Sequence, residues 1–273
     1  MITSLHSPHV EAVKALLGSR GNKERREKAL FVIEGAQNIR EALSSDAKKI
    51  KTMYLTDEGR ARIPDIDLTG IEVLDVSPQV MAAMTDTVTP QGILALATID
   101  NQEFAPWLEE QSEAKSNARP INIAYFWQLQ DPGNAGTVIR AADAFGFDAI
   151  LFSDNSVDIH SPKVVRSSAG SLWHIPIFEE VDWKELSQWA ERSKSRLLAL
   201  TAHGDSELAT EIAKKVSSSS IWIFGNEARG LPEEITSDAK VARVTIPMSG
   251  RAESLNLATA ASVVMYAVAE GNK

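Results

Sequence analysis

The 273 residues predict an α/β protein in two parts, a smaller N-terminal α/β domain and a larger C-terminal domain built on a mostly parallel sheet with helices on both faces. Three observations carry this. Short apolar runs alternate with helical patterns on both sides of a polar stretch; the runs of the second half are continuously apolar, as strands covered on both faces are; and the stretch between, 101–119, is polar and acidic with little β-propensity. In the first part strands are expected at 31–33, 53–55, 73–74 and 93–96, with helices at 36–44 and 77–84. Segment 101–119, closed by Pro120, reads as a linker, which sets the domains at 1–100 and 120–273. Beyond it strands are expected at 121–127, 148–152, 196–201, 221–224 and 243–247, and helices at 135–145, 183–193 and 256–269.

Composition excludes several function classes. With no cysteine there is no disulfide, thiolate nucleophile or cysteine-bound zinc. Hydrophobic residues at 44% and charged residues at 24% are globular proportions, and no apolar run approaches the roughly 18 residues of a membrane span. The first nine residues have neither a basic nor a long apolar segment, so no secretory leader is expected and the cytoplasm is the expected location. A net charge of -9 argues on average against a nucleic-acid partner. Residues 1–30 depart from that average, with Lys14, Arg20, Lys23, Arg25, Arg26 and Lys28 against Glu11, Glu24 and Glu27. Such a run reads either as a solvated helix face or as an edge that holds phosphates.

In open parallel sheets ligands bind past the carboxyl ends of the strands, and three loops there are unusual. The first, Asp131 to Gly146, has Pro132 and Gly133 for a turn, Asn134 as the expected N-cap, and Arg140 about two turns into the helix. The second, Phe224 to Pro232, places Glu227 between Gly225 and Gly230; its Gly-x-x-x-x-Gly spacing is followed by Leu231 and Pro232, so it is no phosphate-binding P-loop. The third, Val244 to Leu257, offers apolar edges from Ile246, Met248 and Leu255 that suit a planar base. Each alone also reads as a capped helix, a turn or core packing. No Gly-x-Gly-x-x-Gly follows any strand, against a dinucleotide cofactor. The remaining histidines, His6, His9, His174 and His203, have no metal-ligand spacing.

Together the three blocks, 134–146, 224–231 and 246–256, resemble in order and spacing the motifs of the SpoU/TrmH-type RNA ribose methyltransferases of the SPOUT superfamily, in its two-domain ribosomal RNA form. Residues 20–98, with Arg25-Arg26-Glu27 leading into Phe31 to Gly35, resemble that family's substrate-binding domain, a ribosomal-protein-like α/β sandwich. The resemblance implies a C-terminal trefoil knot, a homodimer, S-adenosylmethionine as methyl donor and no metal. It places Gly225, Ile246 and Leu255 in the cofactor pocket, with Thr201, Asn226 and Met248 as weaker matches, and Asn134, Arg140, Glu227, Ser254 and Asn256 at catalytic or substrate-organising positions. Ala228 stands where many members carry Gly and Ala135 where a larger apolar residue is frequent; neither removes a functional group.

A sulfonium donor brings the electrophile already charged and leaves as a neutral thioether, so the protein has to align a ribose 2′-oxygen and accommodate its proton. The resemblance implies Arg140 as general base; because a guanidinium stays protonated in proteins, the other reading makes Arg140 a grip on phosphate and ribose that stabilises the developing alkoxide and routes the proton through a phosphate oxygen. RNA is expected on the first domain through Arg20, Lys23, Arg25 and Arg26; Arg166, in the basic stretch His160 to Gly170, reads either as an exposed loop charge or as an RNA ligand. Large-subunit ribosomal RNA is the expected substrate. Transfer RNA, a self-protecting resistance methylation and a noncatalytic ribosome-assembly role remain as alternatives.

Overall fold

The computed structural model describes residues 1–18, 20–100, 102–113, 120–214 and 218–271, arranged in two units. The first comprises Met1–Asn101 together with Asp158–His174; the second comprises Gln102–Val157 and Ile175–Lys273.

The first unit is built from α1 (Pro8–Leu17), α2 (Gly21–Lys28), β1 (Leu30–Glu34), α3 (Ala36–Asp46), β2 (Ile50–Leu55), α4 (Asp57–Ala61), β3 (Glu72–Asp75), α5 (Pro78–Ala83) and β4 (Ile93–Thr98), joined by α8 (Pro162–Ser167) from farther along the chain. Its sheet runs β1-β4-β2-β3; β4 is antiparallel to β1 and β2, and β2 is parallel to β3. Period-two patterning divides the side chains between two faces. Phe31, Ile33, Met53, Leu55 and Ala95 pack with Ile39 and Ala42 of α3 and with Val165 of α8. Val32, Tyr54, Leu94 and Leu96 pack with Val10, Val13 and Leu16 of α1 and with Val80 and Met81 of α5. The result is the three-layer sandwich that the resemblance implies.

The second unit contains α6 (Phe104–Glu113), β5 (Asn122–Phe126), α7 (Pro132–Ala144), β6 (Ala149–Phe152), β7 (Ile177–Phe178), α9 (Trp183–Ser193), β8 (Arg196–Leu200), β9 (Ser206–Glu207), α10 (Leu208–Ala213), β10 (Ser220–Phe224), α11 (Glu233–Thr236), β11 (Val241–Thr245) and α12 (Leu257–Gly271). Its seven strands, in the order β7-β6-β5-β10-β8-β11-β9, pair in parallel throughout. One face, with Ile123, Tyr125, Leu151, Leu197, Ile221 and Ile223, packs against Trp183, Leu186 and Trp189 of α9 and Phe104 and Leu108 of α6. On the other, Phe126 stacks on Phe152 and Phe224 of its neighbouring strands, and all three are buried. No described helix is long and apolar enough to cross a membrane.

The architecture departs from the expected boundaries in two places. Residues 104–113, read as linker, form a helix whose Phe104 and Leu108 enter the second core; 101 and 114–119 lie outside the described residues. Residues 158–174, assigned by sequence to the second domain, belong to the first unit, where Trp173 stacks on Phe31 and Ser45 Oγ donates to the Trp173 carbonyl at 2.9 Å.

Candidate active site

Four neighbouring parallel strands, β5, β10, β8 and β11, end on the same side of the second sheet, and each feeds a loop into one site. Past β5, Asp131 accepts from the Asn134 amide at 2.7 Å and caps α7, with Pro132 in the first turn. Asp131 is therefore the N-cap in place of the expected Asn134, because Pro132 fits the first helical position and Asp131 directly precedes it. This leaves the Asn134 carboxamide, one turn inside the helix, free of capping work. Its Nδ2 donates to Glu227 Oε1 at 3.1 Å and its Oδ1 accepts from Asn256 Nδ2 at 3.1 Å. Asn256 Oδ1 meanwhile caps α12, accepting from the amides of Ala258 and Thr259. One carboxamide thus links the loops after β5, β10 and β11, and its donor and acceptor ends are told apart by a carboxylate on one side and an oriented amide on the other.

Beside this network lies a cavity of about 680 Å³. Of the sequence-derived candidates, Thr201, Gly225, Asn226, Glu227, Ile246, Met248, Ser254, Leu255 and Asn256 line it, and Asn134 joins through its two hydrogen bonds. Arg140 does not line it: the side chain is exposed on α7 without a hydrogen bond or ion pair among the described residues. Gly225 has no room for a side chain, since a Cβ there would lie 2.5 Å from the Gly230 carbonyl carbon, and Gly230 itself has φ +67°. Asn226 holds this hairpin shut from within: its Oδ1 accepts from the Ala228 and Arg229 amides while Nδ2 donates to the Gln128 carbonyl at 2.7 Å. Its side chain therefore shapes the wall, with these bonds made inside the protein. Thr201 is the opposite case, for its Oγ1 is buried with no hydrogen-bond partner among the described residues.

The wall from 201 to 205 is fastened to β11. The Thr201 amide donates to the Val244 carbonyl, Thr245 Oγ1 donates to the Ala202 carbonyl, and Arg243 makes two 2.8 Å bonds to the Asp205 carboxylate. That hydrogen-bonded guanidinium holds the Asp205 carboxyl below its ordinary range, and Asp205 in turn raises Arg243. Gln128, Arg229, Arg243, Asp205 and His203 were not singled out from sequence. Position directly past a strand was the available signal for Gln128, whereas pairing across 38 residues leaves no local trace.

The RNA candidates of the first unit divide. Arg20, Lys23 and Arg26 are exposed on or beside α2, with Lys23 3.6 Å from Glu27. Arg25 is a correction: its guanidinium is buried, bonded through Nε and Nη2 to Asp158 at 2.9 and 2.5 Å and through Nη1 to the Leu16 carbonyl. A guanidinium so enclosed has no face left for a phosphate. Arg166 is corrected as well, from exposed loop charge to a part-buried residue of α8 lying 3.7 Å from Glu34 and 3.8 Å from Asp86.

Comparison with known proteins agrees with this geometry. The SpoU rRNA methylase family matches residues 122–266, and the MRM3-like substrate-binding domain matches residues 8–95. The 23S rRNA (guanosine(2553)-2′-O)-methyltransferase RlmP of Bacillus subtilis is 33% identical over 246 residues, covering 89% of this chain and 90% of that protein. The AdoMet-bound rRNA methyltransferase of Sinorhizobium meliloti superposes with a TM-score of 0.81 at 28% identity, over 98% of this chain and 96% of that one. The SpoU methyltransferase AviRb of Streptomyces viridochromogenes, at 23% identity and a TM-score of 0.79 over 97% of this chain and 98% of its own, shares the fold. With its motif loops meeting at one cavity and both halves matched, the chain belongs to the SpoU rRNA methylase family.

Proposed function

We propose that this protein transfers a methyl group from S-adenosylmethionine to a ribose 2′-hydroxyl of large-subunit ribosomal RNA. The observation that carries the reading is the Asn134 carboxamide bridging Glu227 and Asn256 at the edge of the cavity, in a chain so similar to a 23S rRNA 2′-O-methyltransferase. The cavity fits the donor. Its volume lies in the range of small-molecule sites, Leu200, Ile246, Met248 and Leu255 offer apolar walls for a base, and the unpartnered Thr201 hydroxyl offers a buried polar contact. Bound there, S-adenosylmethionine supplies an electrophilic methyl group on a positively charged sulfur.

The rest of the chemistry falls to the chain. Glu227 and Asn256, fixed through Asn134, present oriented acceptors and donors to a ribose, so that the 2′-oxygen is held in line rather than tumbling. Arg140 lies six residues beyond Asn134, about 9 Å farther along the helix axis, and its free guanidinium holds the neighbouring phosphate and steadies the charge that develops on the 2′-oxygen. The proton leaves toward a phosphate oxygen held by the same fork. Ser254 contributes a hydroxyl at the cavity edge.

The same reading includes a homodimer, a knotted path through the site loops, and a cytoplasmic location. Val263 and Tyr266 of α12, 38% and 55% exposed, with Tyr266 edge-on to Phe145, support a second copy packing there. The strand order β5-β10-β8-β11, with its successive crossovers, supports the knot. Domain limits of 8–95 and 122–266 accord with substrate binding in the first part and chemistry in the second.

Transfer of labelled methyl into separated ribosomal and transfer RNA tests the proposal. Label is expected in large-subunit RNA with wild type, reduced by about 100-fold or more in Arg140→Ala and hardly rescued in Arg140→Lys, which lacks the planar fork. Label confined to transfer RNA would move the substrate; near-normal turnover by Arg140→Lys would remove the assigned role of Arg140.

A further inference from the structure

The second unit carries a cation at the cavity, inside the second motif block, to which the resemblance gives no role. Arg229 is exposed, lines the cavity two residues after Glu227, and has no carboxylate partner among the described residues. Its Nη2 donates to Gln128 Oε1 at 2.9 Å, a neutral acceptor that leaves the positive charge uncompensated. Gln128 is itself held from both sides. Its amide donates to Ser153 Oγ at 2.8 Å, and its carbonyl accepts from Asn226 Nδ2 at 2.7 Å. Between these two bonds its backbone sits at φ +47°, a left-handed conformation costing an L-residue on the order of 1 kcal/mol. With the backbone fixed in this way, the Gln128 side chain is placed to orient the Arg229 guanidinium.

We propose that Arg229 is a substrate-positioning residue: held by Gln128, it binds a phosphate of the RNA next to the nucleotide whose ribose enters the site. This rests on the RNA methyltransferase reading and deepens it. Two observations favour a phosphate over the carboxylate of the cofactor. The guanidinium is exposed rather than enclosed with the apolar walls, and the lining it belongs to also carries Glu227 and Glu253, unpaired with it, whose charges repel an RNA backbone unless a cation offsets them.

The test uses the full chain, a large-subunit ribosomal RNA transcript and S-adenosylhomocysteine. RNA affinity is measured across a salt series and cofactor-site affinity by calorimetry. Arg229→Ala is expected to weaken RNA binding about tenfold and to reduce the logarithmic salt slope by about one, with S-adenosylhomocysteine affinity within about twofold of wild type. Arg229→Lys keeps the slope and recovers part of the affinity, since it restores the charge and not the fork. Gln128→Gly, which suits the left-handed backbone and removes only the amide holder, is expected to weaken RNA binding about threefold at an unchanged melting temperature. A drop in S-adenosylhomocysteine affinity with an unchanged RNA salt slope would overturn the proposal in favour of a cofactor contact, and no change in either would overturn it outright. If wild type binds neither the transcript nor S-adenosylhomocysteine, the methyltransferase reading itself fails, before any substitution is made.

Discussion

The two units use their arginines differently. In the first, Arg25 is joined to Asp158, Arg40 to Asp65, Arg60 to Asp75 and Arg62 to Glu58, and Arg166 lies near Glu34 and Asp86. In the second, Arg196 and Arg243 are likewise paired, with Glu211 and Asp205, but each of three site segments carries an arginine, Arg140, Arg229 and Arg251, with no carboxylate partner among the described residues; elsewhere the same holds of the exposed Arg20 and Arg192. With 37 acidic residues against 28 basic ones, pairing is the easy outcome for a cation. Cations left unmatched beside the strand ends point to an anion that arrives from outside. The first unit's ion pairs, by contrast, act on its own architecture.

That contrast can be broken most severely by cutting the chain. A fragment ending at Asp100 lacks Asp158, Val165 and Trp173, so its buried Arg25 has no carboxylate and Phe31 loses its stacking partner. It is expected to show no cooperative thermal transition by circular dichroism, whereas a sharp melt would mean that the first 100 residues suffice. Next in size is Arg25→Ala, expected to destabilise the intact protein by about 3 kcal/mol in denaturant titrations, because the largely buried Asp158 is left unpaired. The double substitution with Asp158→Ala should cost less than the sum of the two singles. The smallest effect is in pH. Burial alone would raise the Glu211 carboxyl, but bonds from Lys214, Ser206 and Arg196 outweigh it and hold the group below its ordinary value. A carboxylate depressed on folding stabilises above its unfolded pKa and loses that contribution as pH falls through the folded one. Denaturation midpoints should therefore decline as pH drops below about 4, and Glu211→Gln should flatten the decline.

Much of the architecture was legible in the residues. The strands at 122–126, 149–152, 196–200, 220–224 and 241–245 fall within about a residue or two of their expected places, because continuous apolar runs flanked by turn formers have few other ways to fold. That residues from three separate loops would meet was legible too, since those loops follow the ends of neighbouring strands; nine of the candidates line one cavity, while Arg140 does not. What escaped is long-range. The acidic text of 104–113 masked Phe104, Trp107 and Leu108, spaced along one helical face, which was a usable signal. The burial of Arg25 depends on a carboxylate 133 residues away, and the allegiance of 158–174 depends on which core its Val165 and Trp173 meet. Neither leaves a periodicity to read. Asn134 was expected at the cap because its chemistry suits one; Asp131 already held that place.

The discontinuity of the first unit also has a consequence in time. Arg25 emerges from a translating ribosome 133 residues before Asp158. At ordinary elongation rates that is an interval of roughly ten seconds. Throughout it the nascent sandwich carries a charged side chain without its counter-ion and the Phe31 surface without Trp173. Completion of the first unit therefore waits on a segment synthesised from within the second, so the two units cannot be finished strictly one after the other.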